Sequence, residues 1–186
     1  MEFKKIQLNG FKSFAEKTNF LIEDGLTGIV GPNGCGKSNI VESLRWVMGE
    51  TSAKSMRGSG MEDVIFSGTS NKASKNIAEV SISVANQNNE GPVQFRELDE
   101  VNVRRKIEKD KGSKFYINDK EVRARDAQMF FADLSTGAHS PSMISQGRIG
   151  ALVTAKPTDR RAILEEAAGI SGLHVRRHEA ELRLSA

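Results

Sequence analysis

The chain is poor in the residues that staple or stiffen a fold: of 186 residues, one is Cys, one Trp, one Tyr and four are Pro. A lone thiol, Cys35, cannot close an internal disulfide, which excludes a bridge-stapled secreted scaffold and predicts a reducing compartment, the cytoplasm. No apolar run approaches the ~20 residues that a membrane helix needs. Met1-Glu2-Phe3-Lys4-Lys5 opens without the apolar stretch of a signal peptide, so no membrane partner is expected. Neither sign of charge dominates: 27 Lys and Arg face 24 Asp and Glu, and the net charge of +3 is too small to argue for a nucleic-acid partner. There is no internal repeat and no low-complexity segment. What remains, 38% hydrophobic and 27% charged residues, is a globular composition able to build a sizeable core, as one medium domain or part of a larger one.

The charge is unevenly spread. Between Val101 and Arg125 stand nine cations (Arg104, Arg105, Lys106, Lys109, Lys111, Lys114, Lys120, Arg123, Arg125) against four acids, a local net charge of +5. Such a stretch is either a phosphate-facing surface or an ordinary solvated hairpin; charge alone does not choose.

Along the chain, Phe3, Ile6 and Leu8 predict a first strand and Phe20 with Ile22 a second. Leu26-Thr27-Gly28-Ile29-Val30, followed at once by glycines, reads as a buried strand. From Ser38 to Met48, apolar residues recur at helical spacing and Gly49 stops them. Thr51 to Gly60 is too polar for core, and Asp63-Val64-Ile65-Phe66 predicts a short strand. Ala78, Val80, Ile82 and Val84 alternate with polar neighbours, as do Val101, Val103, Arg105 and Ile107. Lys114 to Ile117 adds a strand that turns at Asn118-Asp119, and Ala124 to Leu134 reads as a helix. These elements predict an antiparallel β layer beside a parallel nucleotide-binding core. After Pro157 a long charged helix begins at Thr158-Asp159, weakened by Gly169 and Gly172, with an apolar stripe that finds no partner in the chain. The expected division is therefore a lobe over 1–156 and a helix over 157–186, in a chain expected to continue past Ala186.

The decisive motif is Gly31-Pro32-Asn33-Gly34-Cys35-Gly36-Lys37-Ser38, a full match to the phosphate loop G-x-x-x-x-G-K-[ST] between a strand and a helix. Glycines let successive backbone N–H groups wrap an anion, and the following helix adds its positive end. Lys37 would neutralise β/γ-phosphate charge, and the Ser38 hydroxyl would ligate Mg²⁺. Cys35 fills an unspecified position as a small side chain.

At this point the sequence resembles the N-terminal head segment of the SMC proteins, the bacterial chromosome-condensation ATPases, over nearly its whole length. Gly10-Phe11-Lys12-Ser13-Phe14 is similar to the family's opening motif and Gly31 to Asn39 to its ABC-type Walker A. Ser52 to Gly58 is similar to its arginine loop, with Met61 to Phe66 following in register. Ile144-Ser145-Gln146-Gly147-Arg148 is similar to its Q-loop, and Asp159-Arg160-Arg161 with Glu165 to Gly169 to the start of its coiled coil. The resemblance implies an α/β fold, the N-terminal lobe of an ABC-type P-loop ATPase with a mixed or antiparallel β layer, ending where a coiled-coil helix starts. It implies ATP and Mg²⁺ as cofactors, with Pro32, Asn33, Gly34, Cys35, Gly36, Lys37, Ser38, Asn39, Lys12, Ser13 and Arg57 at the nucleotide. Ser38 and Gln146 would hold the metal, and Lys37, Gln146 and Arg57 would support catalysis. Arg123 and Arg125 would touch the DNA backbone. The implied partners are the C-terminal half of the head, a second SMC head in a homodimer, DNA and a kleisin-type subunit, in the cytoplasm at the nucleoid.

The motifs that complete hydrolysis in that family, a Walker B Asp-Glu pair and a signature serine loop, do not occur in this sequence, so the chain alone should bind ATP and barely turn it over. Met129-Phe130-Phe131-Ala132-Asp133 mimics a Walker B strand, but it sits in a helical pattern and no Glu follows. Leu134-Ser135-Thr136-Gly137 is faintly similar to a signature but precedes Gln146, and His174 and His178 lack the further ligands of a zinc site. The competing readings are a repair ATPase of the same superfamily, a self-contained P-loop kinase or GTPase, and a transporter ATPase. The guanine motif of a GTPase is missing, since Asn71-Lys72-Ala73-Ser74 lacks its Asp. A transporter would place its Gln nearer the phosphate loop than the 108 positions that separate Ser38 from Gln146.

Overall fold

The structure, a computed structural model, describes residues 1–86, 92–134 and 156–168, with positions 143, 153, 154, 177, 181, 184 and 185. Its centre is one six-stranded sheet in the order β2-β1-β3-β4-β5-β6, every neighbour antiparallel. The strands are β1 (Glu2–Asn9), β2 (Thr18–Leu21), β3 (Ile77–Ala85), β4 (Glu100–Glu108), β5 (Gly112–Ile117) and β6 (Lys120–Val122). Helix α1 spans Lys37–Val47, α2 Ala124–Asp133 and α3 Pro157–Ala167.

Alternation decides which face is buried. Ile6 and Leu8 on β1, Ala78, Val80, Ile82 and Val84 on β3, Val101, Val103 and Ile107 on β4, and Phe115 and Ile117 on β5 turn to one side. Ile40, Trp46 and Val47 of α1 and Ala127, Phe130 and Phe131 of α2 pack onto them in one core. The two helices are tied together where the Gln128 amide donates to the Gly49 carbonyl at 2.8 Å. The other face is polar. Gln7, Ser81, Arg104 and Tyr116 lie in one cross-strand row, with the Arg104 guanidinium 4.3 Å above the Tyr116 ring and bonded to Glu79 and Asp119.

Strand and helix expectations hold closely for β1 to β5, α1 and α2, and Asn118 and Asp119 make the tight turn with both φ angles positive, 47° and 63°, leading into β6, a short strand that the sequence reading did not include. Three expectations fail. The Leu26–Val30 run is not a buried strand: it forms no ladder, and Leu26 and Val30 are almost wholly exposed. A strand is stable only when a neighbour takes its backbone groups, and among the described residues none of the six strands pairs with it. For the same reason the parallel core expected beside the antiparallel layer is absent among the described residues. Asp63–Phe66 is mostly a tight 3-10 turn (Met61–Val64), with only Ile65 bridging to Phe11. The Asp63 carboxylate wins that segment by accepting hydrogen bonds from the Ser59 and Gly60 amides at 2.6 and 2.9 Å.

Arg105 departs from its charge and follows its position. Alternation points it inward, and it is 3% exposed, its guanidinium 4.6 Å from both the Trp46 and Phe115 rings. Nη1 donates to the Trp46 and Glu50 carbonyls at 2.8 and 2.7 Å, and Nε to the Ser113 hydroxyl at 2.7 Å. A cation thereby closes the negative end of α1 from inside the core. Burial pushes its pKa down to about 10, still far enough above neutrality to keep the charge. One of the nine cations counted as a surface stretch is thus a core residue.

Candidate functional site

The site is assembled on the N-terminal end of α1. Gly36 caps that helix with φ 96°, a left-handed conformation that glycine adopts without strain. A Cβ there would meet the Ser13 hydroxyl at 2.5 Å. The helix start carries no side-chain cap and no acidic residue in its first turn. Its first N–H groups and the positive end of its dipole are therefore left for an external anion. Ahead of it, Gly31 to Cys35 lie exposed. The Lys37 ammonium folds back over this loop, donating to the Gly31 and Pro32 carbonyls, both at 2.6 Å, with the Cys35 Sγ at 3.8 Å.

The arm following β1 closes the other side. Gly10, with φ 64°, lets the chain turn against β3, where a Cβ would lie 2.2 Å from the Ile77 carbonyl. Phe11 and Phe14 then exchange backbone hydrogen bonds, and the Lys12 amide donates to the Val64 carbonyl at 2.7 Å. This brings Ser13 to α1, where its hydroxyl accepts from the Asn39 amide at 2.8 Å. The segment from Ser52 to Gly58 reaches α1 as well. A 3-10 turn at Lys54–Met56 ends at Arg57, whose φ of 56° is left-handed. Lys12 shares that conformation with φ 47°, and each such non-glycine residue costs roughly 1–2 kcal/mol that surrounding contacts must offset. The contacts are ionic: Lys12 Nζ and Arg57 Nε both bind the Glu42 carboxylate, and Arg57 Nη2 donates to Asn39 Oδ1 at 3.0 Å.

The structure therefore brings together Lys12, Ser13, Arg57, Lys37 and Asn39 from three separate stretches, around the loop formed by Pro32, Asn33, Gly34, Cys35 and Gly36. Ser38 lies exposed in the first turn of α1. Gln146, the Leu134 to Gly137 decoy beyond its first residue, and His174 with His178 lie outside the described residues. Asp133 is the last residue of helix α2, so Met129–Asp133 is no Walker B strand. Arg123 and Arg125 stand exposed far along the chain, at the start of α2. Glu42 went unnoticed in the sequence. It lies inside an apolar helical pattern, and only its spacing of three from Asn39 hints that the two share a face.

A uniform donor set surrounds the loop: amide N–H groups, an ammonium, a guanidinium and hydroxyls, with one carboxylate already matched to two cations. This chemistry fits a polyphosphate. Among the described residues no cluster of three or more metal-ligating side chains exists, and no helix is long and apolar enough to cross a membrane.

Comparison with known proteins agrees with this geometry. A family model described as RecF/RecN/SMC N terminal domain matches residues 2–148. Chromosome partition protein Smc of Cereibacter sphaeroides is 57% identical over all 186 residues, which span only 16% of that relative's length. A solved structure described by the ATP-driven dimerization and DNA stimulated activation of SMC ATPases superposes with a TM-score of 0.79 at 31% identity, covering 90% of this chain and 99% of the other. The Smc head domain of Pyrococcus furiosus, with an extended coiled coil and bound to the C-terminal domain of ScpA, gives 0.84 at 30% identity over 99% of this chain and 46% of its own.

Proposed function

The chain belongs to the RecF/RecN/SMC N terminal domain family, on its SMC side, and from that premise we propose that it is the ATP-binding half of an ABC-type head whose complete form organises chromosomes. The observation that carries this reading is the uncapped, acid-free start of α1, with Lys37 held over the glycine loop in front of it. In this reading the loop amides from Pro32 to Gly36 cradle the phosphates, and Lys37 exchanges its two carbonyl partners for them. Asn39, Ser13, Lys12 and Arg57 line the flanks. Ser38 and Gln146 would hold Mg²⁺, which would supply positive charge against the phosphates.

These residues bind and orient; they do not complete hydrolysis. The acid that positions water and the serine loop that closes the site belong to the C-terminal half of the head and to a second head. Turnover is therefore a property of the assembled homodimer, with DNA and a kleisin-type subunit as further partners. Arg123 and Arg125 are the proposed DNA-backbone contacts: both are exposed at the N-terminal end of α2, where the helix dipole adds to their attraction for phosphate. Residues 1–156 form the lobe, and the helix from Pro157 starts a coiled coil, in a protein of the cytoplasm and nucleoid.

The test is to titrate the chain with Mg·ATP by calorimetry, then mix it with its matching C-terminal segment and assay ATPase. Heat of binding by the chain and activity only in the mixture, stimulated by DNA, are expected. Activity of the chain by itself would point to a self-contained kinase or GTPase, and absence of any binding would overturn the assignment.

A further inference from the structure

Glu42 is a charged residue with no role in the reading above, yet it is 8% exposed and each of its oxygens has its own cation. Oε2 meets Lys12 Nζ and Oε1 meets Arg57 Nε, so residues from the arm after β1 and from the arginine loop meet on one helix. Three further bonds make the cluster specific. Lys12 Nζ reaches the Met56 carbonyl next to Arg57 at 2.5 Å, Arg57 Nη2 donates to Asn39 Oδ1 at 3.0 Å, and Asn39 donates to Ser13 at 2.8 Å.

Two cations on one carboxylate leave a surplus positive charge, and exposure shows where it sits. The Arg57 side chain is 59% exposed and that of Lys12 only 13%. A guanidinium has five N–H donors in a rigid fork. Nε and one hydrogen of Nη2 are used on α1, so three others remain for a ligand approaching the phosphate loop.

We propose that Glu42 is a positioning residue of the nucleotide site: with Asn39 it holds Arg57 in one orientation beside the phosphate loop. Lys12 neutralises the carboxylate's other oxygen. Holding the fork in advance removes the rotamer entropy that an untethered arginine would lose on binding phosphate. The inference rests on the ATP-binding reading and adds to it a residue that never touches the nucleotide.

The test measures affinity for a fluorescent ATP analogue in the full-length protein, with melting temperature recorded for each variant. Wild type binds and Lys37→Ala does not; if the two behave alike, the reading of the site fails rather than this inference. Glu42→Gln, which keeps shape but removes charge, should weaken binding about fivefold, and Arg57→Ala by a similar or larger factor. The double variant should be no weaker than Arg57→Ala alone, because Glu42 acts through Arg57. Additive losses, or unchanged affinity in Glu42→Gln beside a dead Lys37→Ala, would overturn the proposal. Should Glu42→Gln not fold, Glu42→Asp keeps the charge on a shorter arm that reaches Arg57 less well. It should weaken binding with Arg57 present and add nothing in the Arg57→Ala background; an equal loss in both backgrounds sinks the idea.

Discussion

At the scale of single residues, position overrode chemical type. Cys35 lies exposed in the phosphate loop, its Sγ 3.8 Å from the Lys37 ammonium. On the proposed reading, any adduct on that sulfur would crowd the phosphates and Lys37. Alkylation of Cys35 should therefore abolish ATP binding, and saturating Mg·ATP should slow alkylation, as mass spectrometry of the modified peptide can follow; equal rates with and without nucleotide would separate the thiol from the site. Asp63 illustrates a carboxylate acting as a backbone lock. Hydrogen bonds from the Gly60 amide, the Ser59 hydroxyl and the Ser59 amide hold its pKa below the usual carboxylate range. Because the folded value is the lower one, the stabilisation is complete above the unfolded value of about 4 and disappears as pH falls through the folded value. The Ser59 and Gly60 amides should accordingly lose hydrogen-exchange protection at acid pH, and Asp63→Asn should weaken it at neutral pH.

At the scale of elements, α1 is held at both ends by groups from distant strands and loops. Its start is left open for a ligand, while its end is closed by Arg105 of β4 through the Trp46 and Glu50 carbonyls. Removing the guanidinium takes this donor from the Glu50 carbonyl and the Ser113 hydroxyl, leaves the Trp46 carbonyl with the Gly49 amide alone, and withdraws a buried cation from near Glu50. Arg105→Met should therefore cost about 3 kcal/mol in urea unfolding, despite the apolar replacement. A change within a few tenths of a kcal/mol would mean that packing between Trp46 and Phe115 supplies the stability by itself. The Leu26–Val30 stretch is the opposite case, an exposed apolar run that pairs with no strand among the described residues. Its β-rich composition was legible; its burial was not, because burial depends on a second strand that composition cannot report.

At the scale of the whole molecule, one sheet organises the site by bringing residues 10–15, 31–39 and 52–58 to the same edge of α1. If Leu26–Val30 is the seam for the C-terminal half of the head, its amides should gain hydrogen-exchange protection in the mixture that regains ATPase activity. Protection elsewhere, with this segment unchanged, would place the seam on another surface. The sequence by itself determined the alternating strands, the tight turn at Asn118-Asp119, helices α1 and α2, and the glycine turn that opens α1. Each of these is a local pattern, set by side-chain period or by which backbone angles glycine and asparagine tolerate. Only the tertiary structure decided that the inward Arg105 closes the end of α1, that Leu26–Val30 is exposed, and that Glu42 links Lys12 to Arg57. Those outcomes depend on contacts between residues far apart in the chain, where pairing of charge and satisfaction of backbone groups outweigh local preference.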